Sequence, residues 1–563
     1  MKWGGGNNGI HQASWPVLVG LGACVVTVGF PVAMLFLQSV FPELAKGSFA
    51  DAFRPYAEMT RTAGLGRMWS NSLLCASMTT IFAWLFGLPA GWLLARTNVP
   101  GKSLIRVSLL LPVMSPPYLL ALAYIIVLQR FGLWDSFVGP LPEIFRRAFF
   151  GWGGVVFVMG LTSFGTVALL VEAALAGVSS RLDDAARCLG APATDIFRRI
   201  TLPLLVPALL NSGVLVFIDT LSNFGIAAIL GPRSNLLLLP AVIYELLTTW
   251  PVQLPLSAAI SAILALTAML MVGVARFVIG ARIVTAANGR PTSLRLVTLG
   301  LWQTTAAAAF FSGLFLFSSI LPNGAVFLMS IVDNWREGSP TFTAQNYFEL
   351  LAWGSNGMRA LSTSVGLSFL AATACVTLGG LVAYALTRYR GRAVAALDHL
   401  SMVPRVLPNL VIAVALILAW NASWIPFRVY GTLTIVFLAY VAIYQAVGLR
   451  FADAGMRQLA PRLEQAGACL GAPRSAILGR IVFPILFPSL FIAWISIFVM
   501  CLRDWVASIM LLPPGAQTVG SFIFNQFEQG DFAQAMAMTV CTVVFSSVLL
   551  VATNLKFYRK AHL

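Results

Sequence analysis

Gly101-Lys102-Ser103 has the form of the end of a phosphate-binding loop, in which backbone amides and a lysine cradle a nucleotide. That loop needs another glycine at position 96, and Arg96 stands there, in a short basic stretch rather than after a strand. Nucleotide hydrolysis is therefore not expected in this chain, and no catalytic residue is assigned. Seven cysteines, an odd number, lie mostly inside apolar runs (Cys24, Cys75, Cys375, Cys501, Cys541). Cys188 and Cys469 fall in more polar surroundings, but neither belongs to a Cys-x2-Cys pattern, and His11, His399 and His562 are scattered. Neither a disulfide framework nor a metal site is expected.

The unusual chemistry lies in a phrase that occurs twice. "CLGAPATDIFRRITLP" ends at Pro203 and "CLGAPRSAILGRIVFP" ends at Pro484, with Gly190 and Gly471 also 281 residues apart. In the first copy an Ala-rich, charged turn of helix runs to Gly190, which can adopt positive φ or let a partner backbone approach closely. A short second element follows, which Thr194 or Asp195 is placed to cap; Ile196, Phe197 and Ile200 give it an apolar edge. Pro203 suits the first turn of the next helix, where its missing N–H costs least. Each copy thus reads as a helix–turn–helix with small residues at its corner, a shape that fits a cleft on a soluble protein.

These phrases interrupt a very apolar chain of 563 residues, 59% hydrophobic and only 10% charged, with a mean hydropathy of +0.86. Soluble domains carry about 25% charged residues. The composition implies an all-α polytopic membrane protein in a lipid bilayer. At about 20 apolar residues per span, twelve transmembrane helices are expected, with the proline-rich third and ninth kinked. The N-terminal "MKWGGGNNGIHQAS" lacks the features of a cleaved signal, so the first span is expected to be retained. The net charge of +16 comes with no basic tail or aromatic-basic face, so a nucleic-acid partner is not expected. If both termini lie in the cytoplasm, twenty-three Lys and Arg fall on that side and twelve opposite, with Arg405 inside a span. That bias places both repeated phrases in the cytoplasm.

The spans divide into a first half (1–280), a cytoplasmic linker (281–296) and a second half (297–563). Six spans per half means that the two six-helix repeats run parallel. Earlier matches, "LLPVMSPP" with "SMVPRVLP" and "NSLLCAS" with "TSVGLSF", sit at an offset of about 292. About eleven extra residues are therefore expected in the first half, near "GLWDSFVGPLPEIFRRAFFGWG" (132–153).

Asp184-Ala185-Ala186-x3-Gly190-x9-Ile200-x-Leu202-Pro203 resembles the EAA loop of bacterial ABC importer permeases, with Asp for the usual Glu. The second copy, Gln465-Ala466-Gly467-x3-Gly471-x9-Ile481-x-Phe483-Pro484, keeps Gly, Ile and Pro and departs at Gln465, Gly467 and Phe483. With both halves fused, the chain is most similar to ferric iron permeases, and also to thiamine and 2-aminoethylphosphonate permeases. "NFGIAAILGP" (223–232) and "RDWVASIMLLPPG" (503–515) hold equivalent places, although Asp504-Trp505-Val506 departs from the iron branch.

The resemblance implies a permease subunit of the inner membrane, carrying a solute, ferric iron foremost, from periplasm to cytoplasm. Both loops would couple to two copies of an ATPase subunit, which would hold the ATP and magnesium, and a periplasmic solute-binding protein would deliver the cargo. No cofactor is implied in this chain. Asp219, Arg503 and Asp504 are ionisable groups within or beside apolar spans, where such groups are functional candidates. With Asn223, which stands 281 residues before Asp504 and is expected to face it across the pseudo-two-fold axis, they are assigned to a translocation path. The competing structural reading has Arg503 snorkelling outward and Asp504 capping a helix. An ion-coupled secondary transporter is the rival function; it would place its essential carboxylates at mid-membrane.

Overall fold

The computed structural model describes residues 15–61, 64–176, 185–280, 296–332 and 341–561. Among these, ten helices are long and apolar enough to cross a membrane, and two strongly bent pairs bring the total to twelve. Among the described residues no strand is formed, and the only pairings of that kind are isolated bridges, Thr97 with Val297 and Val332 with Phe342. We number the spans α1 (Trp15–Val40), α2 (Leu65–Arg96), α3 (Lys102–Met114 and Pro117–Leu128), α4 (Trp152–Ala176), α5 (Leu202–Ser222), α6 (Leu254–Gly280), α7 (Leu301–Ser330), α8 (Asn356–Arg388), α9 (Arg392–Met402 and Asn409–Trp420), α10 (Leu433–Gln458), α11 (Phe483–Leu502) and α12 (Phe532–Ala561).

The bends fall where proline spacing places them. α3 turns by 87° at Ser115-Pro116 and α9 by 114° around Pro404 and Pro408; a ring without an N–H clashes with the preceding turn and ends the helix. Arg405 sits in the short 3-10 turn of the α9 bend. The extra length of the first half lies where the repeat offset changes. From Leu128 to Trp152 the chain spends residues 129–151 on two short helices, Leu133–Phe137 and Glu143–Phe149. The matching connection, 421–432, has no helix.

Among the described residues π-turns lie inside α1, at Val25–Gly29, and α7, at Leu316–Ile320, and lead into α5, at Phe197–Thr201, and α11, at Leu478–Val482. Each is followed after one residue by proline: Pro31, Pro203, Pro322 and Pro484. The residue before each proline donates its N–H five residues back, as Leu202 does to the carbonyl of Phe197. A wide turn of this kind relieves the crowding that a proline ring causes in the preceding turn, and the helix runs on through it.

The chain forms two compact units: residues 1–52, 353–522 and 544–563 in one, and 53–352 with 523–543 in the other. In the first, α8 packs on α10 and α11, and α1 lies against α8 and α9. Gln38 donates to the carbonyl of Leu418 at 2.9 Å, and Phe30 meets Trp420 edge-on at 5.7 Å between ring centres. α8 and α10 touch backbone to backbone, since a Cβ on Gly379 would lie 2.4 Å from the carbonyl carbon of Gly448. Small residues permit such contact where lipid supplies no hydrophobic drive for helix association. In the second unit α2, α4 and α5 pack together, and α7 lies on α3, where the Tyr124 hydroxyl donates to the carbonyl of Phe317 at 2.6 Å. Each unit therefore takes the first span of the other sequence half.

Candidate functional site

Both repeated phrases fold as helical hairpins with the same corner. The Gly190 amide donates to Arg187 (2.9 Å) and the Ala191 amide to Ala186 (3.0 Å). In the second copy Gly471 donates to Ala468 (3.0 Å) and Ala472 to Gly467 (3.1 Å). This pair of bonds is a Schellman closure, which requires left-handed backbone at the glycine; φ is 79° at Gly190 and 76° at Gly471. The amides three and four residues past the corner prolines then open the next helix on the carbonyls of Pro192 and Pro473. Thr194 and Asp195, expected as caps, lie inside that first turn instead, because Pro192 already supplies the first carbonyl; Asp195 pairs with Arg199 at 3.7 Å.

From there each second element continues through its π-turn into a span, Ala193 to α5 and Arg474 to α11, as one helical run. Pro203 and Pro484 sit at the first turn of the regular α-helix. Ile481 explains part of the fixed spacing. With Ile477 it packs back on the first element at Gly467, where a Cβ would lie 3.1 Å from the Ile481 methyl. Glycine for alanine at 467 thus fits a tighter contact in the second hairpin. Gln465, Ala466, Phe483 and Pro484 are exposed; Ala185, Gly190 and Pro203 likewise, with Ala186, Ile200 and Leu202 half-buried. Asp184 lies outside the described residues.

Two residues missed in the sequence reading complete the site. Leu189 and Leu470, each immediately before its corner glycine, are both 88% exposed. Both copies thus hold a leucine outward at the same place, on the tip of the hairpin. The signal was present in the "CLGAP" common to both copies. The second hairpin is also anchored: Arg388, at the end of α8, makes a two-nitrogen ion pair to Glu464.

The residues assigned to a path fall at helix breaks. α5 stops at Ser222 and a short helix restarts at Phe224; α11 stops at Leu502 and restarts at Val506. At both restarts one side chain accepts the amide three residues on: Ile226 to Asn223 Oδ1 (3.1 Å) and Ala507 to Asp504 Oδ1 (2.9 Å). Asp504 is 6% exposed, and its other oxygen accepts the Tyr444 hydroxyl at 2.8 Å. Tyr440 and Ser508 hydroxyls bond beside it at 2.8 Å. Asp219 is exposed in the last turn of α5, nearer the helix end than mid-span, and Arg503 is half-buried at the C-cap of α11. Asn223 and Asp504 lie in different units.

Residues 87–284, which carry the first hairpin, match the family described as binding-protein-dependent transport system inner membrane component. The molybdenum transport system permease protein ModB of Escherichia coli is 34% identical over 182 residues, 32% of this chain and 78% of that protein. The chain belongs to this family of inner-membrane transport components. Other relatives of the permease extend further along it. The ferric transport system permease protein FbpB of Actinobacillus pleuropneumoniae is 26% identical over 542 residues, 92% of this permease and 76% of the relative. A putative 2-aminoethylphosphonate transport system permease protein, PhnV of Salmonella typhimurium, is 24% identical over 245 residues, 44% of this permease and 91% of the relative. The long match to the first of these is that of a permease with both halves in one chain.

Proposed function

We propose that this permease carries ferric iron from periplasm to cytoplasm, driven by ATP hydrolysed on two copies of a separate ATPase subunit. The observation that carries the coupling reading is the pair of hairpins, alike in closure, glycine angle and exposed leucine. Leu189 and Leu470 enter one groove on each ATPase, with the arginines around them at the rim. Because each second element runs unbroken through its π-turn into α5 or α11, a displacement at the tip moves a span rather than a loop. The Arg388–Glu464 pair carries the same displacement to the end of α8. Residues 184–203 and 465–484 form the two coupling sites in this reading, and ATP and magnesium belong to the partner. Both termini and the linker lie in the cytoplasm, as the Lys and Arg bias favours.

The ferric cargo rests on relatives named as ferric transport permeases that align over most of the chain. A periplasmic binding protein selects the ion and delivers it. Asp219, Asn223, Arg503 and Asp504 then stand at the breaks that open when the spans move. Uptake of radiolabelled ferric iron by vesicles holding the permease, its ATPase and its binding protein tests the whole proposal. Transport that needs no ATPase would return the chain to the ion-coupled class. Uptake of molybdate or 2-aminoethylphosphonate, with iron excluded, would keep the mechanism and change the cargo.

A further inference from the structure

The α3–α4 connection, the segment that only the first half has at this length, is built around Asp135. Its carboxylate accepts the amides of Phe131 (2.9 Å) and Leu141 (3.0 Å) and pairs with Arg146 through both oxygens at 2.8 Å. Arg146 also donates to the carbonyl of Leu128, which ties the hairpin to the end of α3. Glu143 is shared among Arg130, Arg146 and Arg147 at 3.3 to 3.5 Å. These groups, with Arg233 from the connection after Phe224–Leu230, line a recess of about 400 Å³. Arg233 lies over the ring of Phe527 at 5.9 Å. With Arg146 committed to Asp135, three arginines in the lining, Arg130, Arg147 and Arg233, face a single carboxylate, Glu143.

The same hairpin holds out large apolar side chains: Phe131 is 85% exposed and Ile144 75%, with Phe137, Val138 and Phe145 beside them in sequence. Spans flank the hairpin directly, at Leu128 and Trp152, so it lies at the membrane boundary. Apolar side chains interleaved with arginine at that level are the pattern of a segment lying in the interface. A binding protein that docks and departs would leave these rings in water between visits, whereas lipid covers them continuously. The matching connection of the second half, 421–432, carries a single arginine, Arg428, and no acidic residue.

We propose that residues 129–151 form an interfacial hairpin that binds an anionic phospholipid. Arg130, Arg147 and Arg233 hold the headgroup phosphodiester in the recess, and Phe131, Phe137, Val138, Ile144 and Phe145 lie against the acyl chains. Arg146 and Asp135 are the scaffold and stay paired. The site is independent of the cargo and of the ATPase.

The test uses the full-length permease in nanodiscs of phosphatidylcholine with a minor fraction of phosphatidylglycerol, counting retained lipid by native mass spectrometry. Wild type retains phosphatidylglycerol in preference. In R130Q/R147Q/R233Q that preference falls by roughly fivefold per arginine. R130K/R147K/R233K keeps most of it, which separates loss of charge from loss of fold, and F131S/I144S lowers total retained lipid. Unchanged preference in the Gln variant overturns the proposal. Displacement of phosphatidylglycerol by millimolar inorganic phosphate overturns it in favour of a soluble oxyanion site. A Gln variant that binds the solute-binding protein more weakly while retaining its lipid overturns it in favour of a protein contact.

Discussion

Arg388 donates two hydrogen bonds to one oxygen of Glu464, joining the end of α8 to the first helix of the second hairpin across 76 residues of sequence. Both side chains are largely shielded, 20% and 15% exposed. Removing one partner leaves the other charge shielded and unsatisfied, which costs about 1–3 kcal/mol. R388Q and E464Q are each expected to lower uptake more than ATPase activity, because the hairpin then moves without α8. The exchanged pair R388E/E464R should restore uptake in vesicles. No recovery in the double variant would show that the pair is not the link.

Leu189 and Leu470 are expected to be neutral for folding and costly for assembly. Burying a leucine contributes about 1.5–3 kcal/mol, so L189A and L470A should each weaken ATPase binding by roughly 10- to 150-fold. The thermal midpoint of the isolated permease should not change. Titration of the detergent-solubilised chain with its ATPase measures both hairpins separately and shows whether they are equivalent.

The corner glycines hold left-handed backbone, which costs an L-residue roughly 1–2 kcal/mol. G190A and G471A are therefore expected to loosen the hairpins without disturbing the spans. Hydrogen exchange of the amides at 189–191 and 470–472 should quicken by about 5- to 30-fold, with α5 and α11 unchanged.

Asn223 and Asp504 do the same capping work with different charge. D504A removes the acceptor for the Ala507 amide and the Tyr444 hydroxyl, and should destabilise by about 1–3 kcal/mol. D504N keeps Oδ1 for the Ala507 amide and turns an amide donor toward the Tyr444 hydroxyl, which then accepts instead of donating, and should fold. Uptake by D504N and D219N tests the path: transport and assembly both unchanged would remove these two residues from it.

The α3–α4 hairpin should depend on pH. The Leu141 amide first, with the Phe131 amide and Arg146 beside it, holds the Asp135 carboxyl below the usual carboxylate range, outweighing its desolvation. A carboxyl with a lowered folded pKa contributes stability that is fully present above its unfolded value. That stability is lost as pH falls through the folded value. Protease protection of residues 129–151 should be flat at neutral pH and decline only under acid, and D135N should remove the part of the decline that Asp135 contributes, leaving the part due to Glu143, whose carboxyl is also held low in the same hairpin.

Much of this was legible in residue types and spacing. The hairpin corners followed from glycine and proline at fixed distance, and the bends of α3 and α9 from their prolines. The position of the first-half insertion followed from a shift in repeat offset. The restarts at Phe224 and Val506 were not legible as breaks, because Asn223 and Asp504 interrupt apolar runs without a proline or glycine between span and short helix. Leu189 and Leu470 stood in the quoted phrase without a role; the fold shows both on the outside. The pairing of α1 with α8 and α9 lies beyond any local pattern, since both candidate neighbours are equally apolar.

That pairing sets an order on synthesis. Gln38 enters the bilayer with α1, but the carbonyl it binds belongs to Leu418, 380 residues later. At 5–20 residues per second, translation leaves the amide waiting roughly 20–80 s for its permanent partner. During that interval α1 must hold a polar group in lipid with water, headgroups or a chaperone as substitutes. A ribosome stalled in the linker would therefore leave α1 stranded, ready for the insertion machinery or a membrane protease to seize.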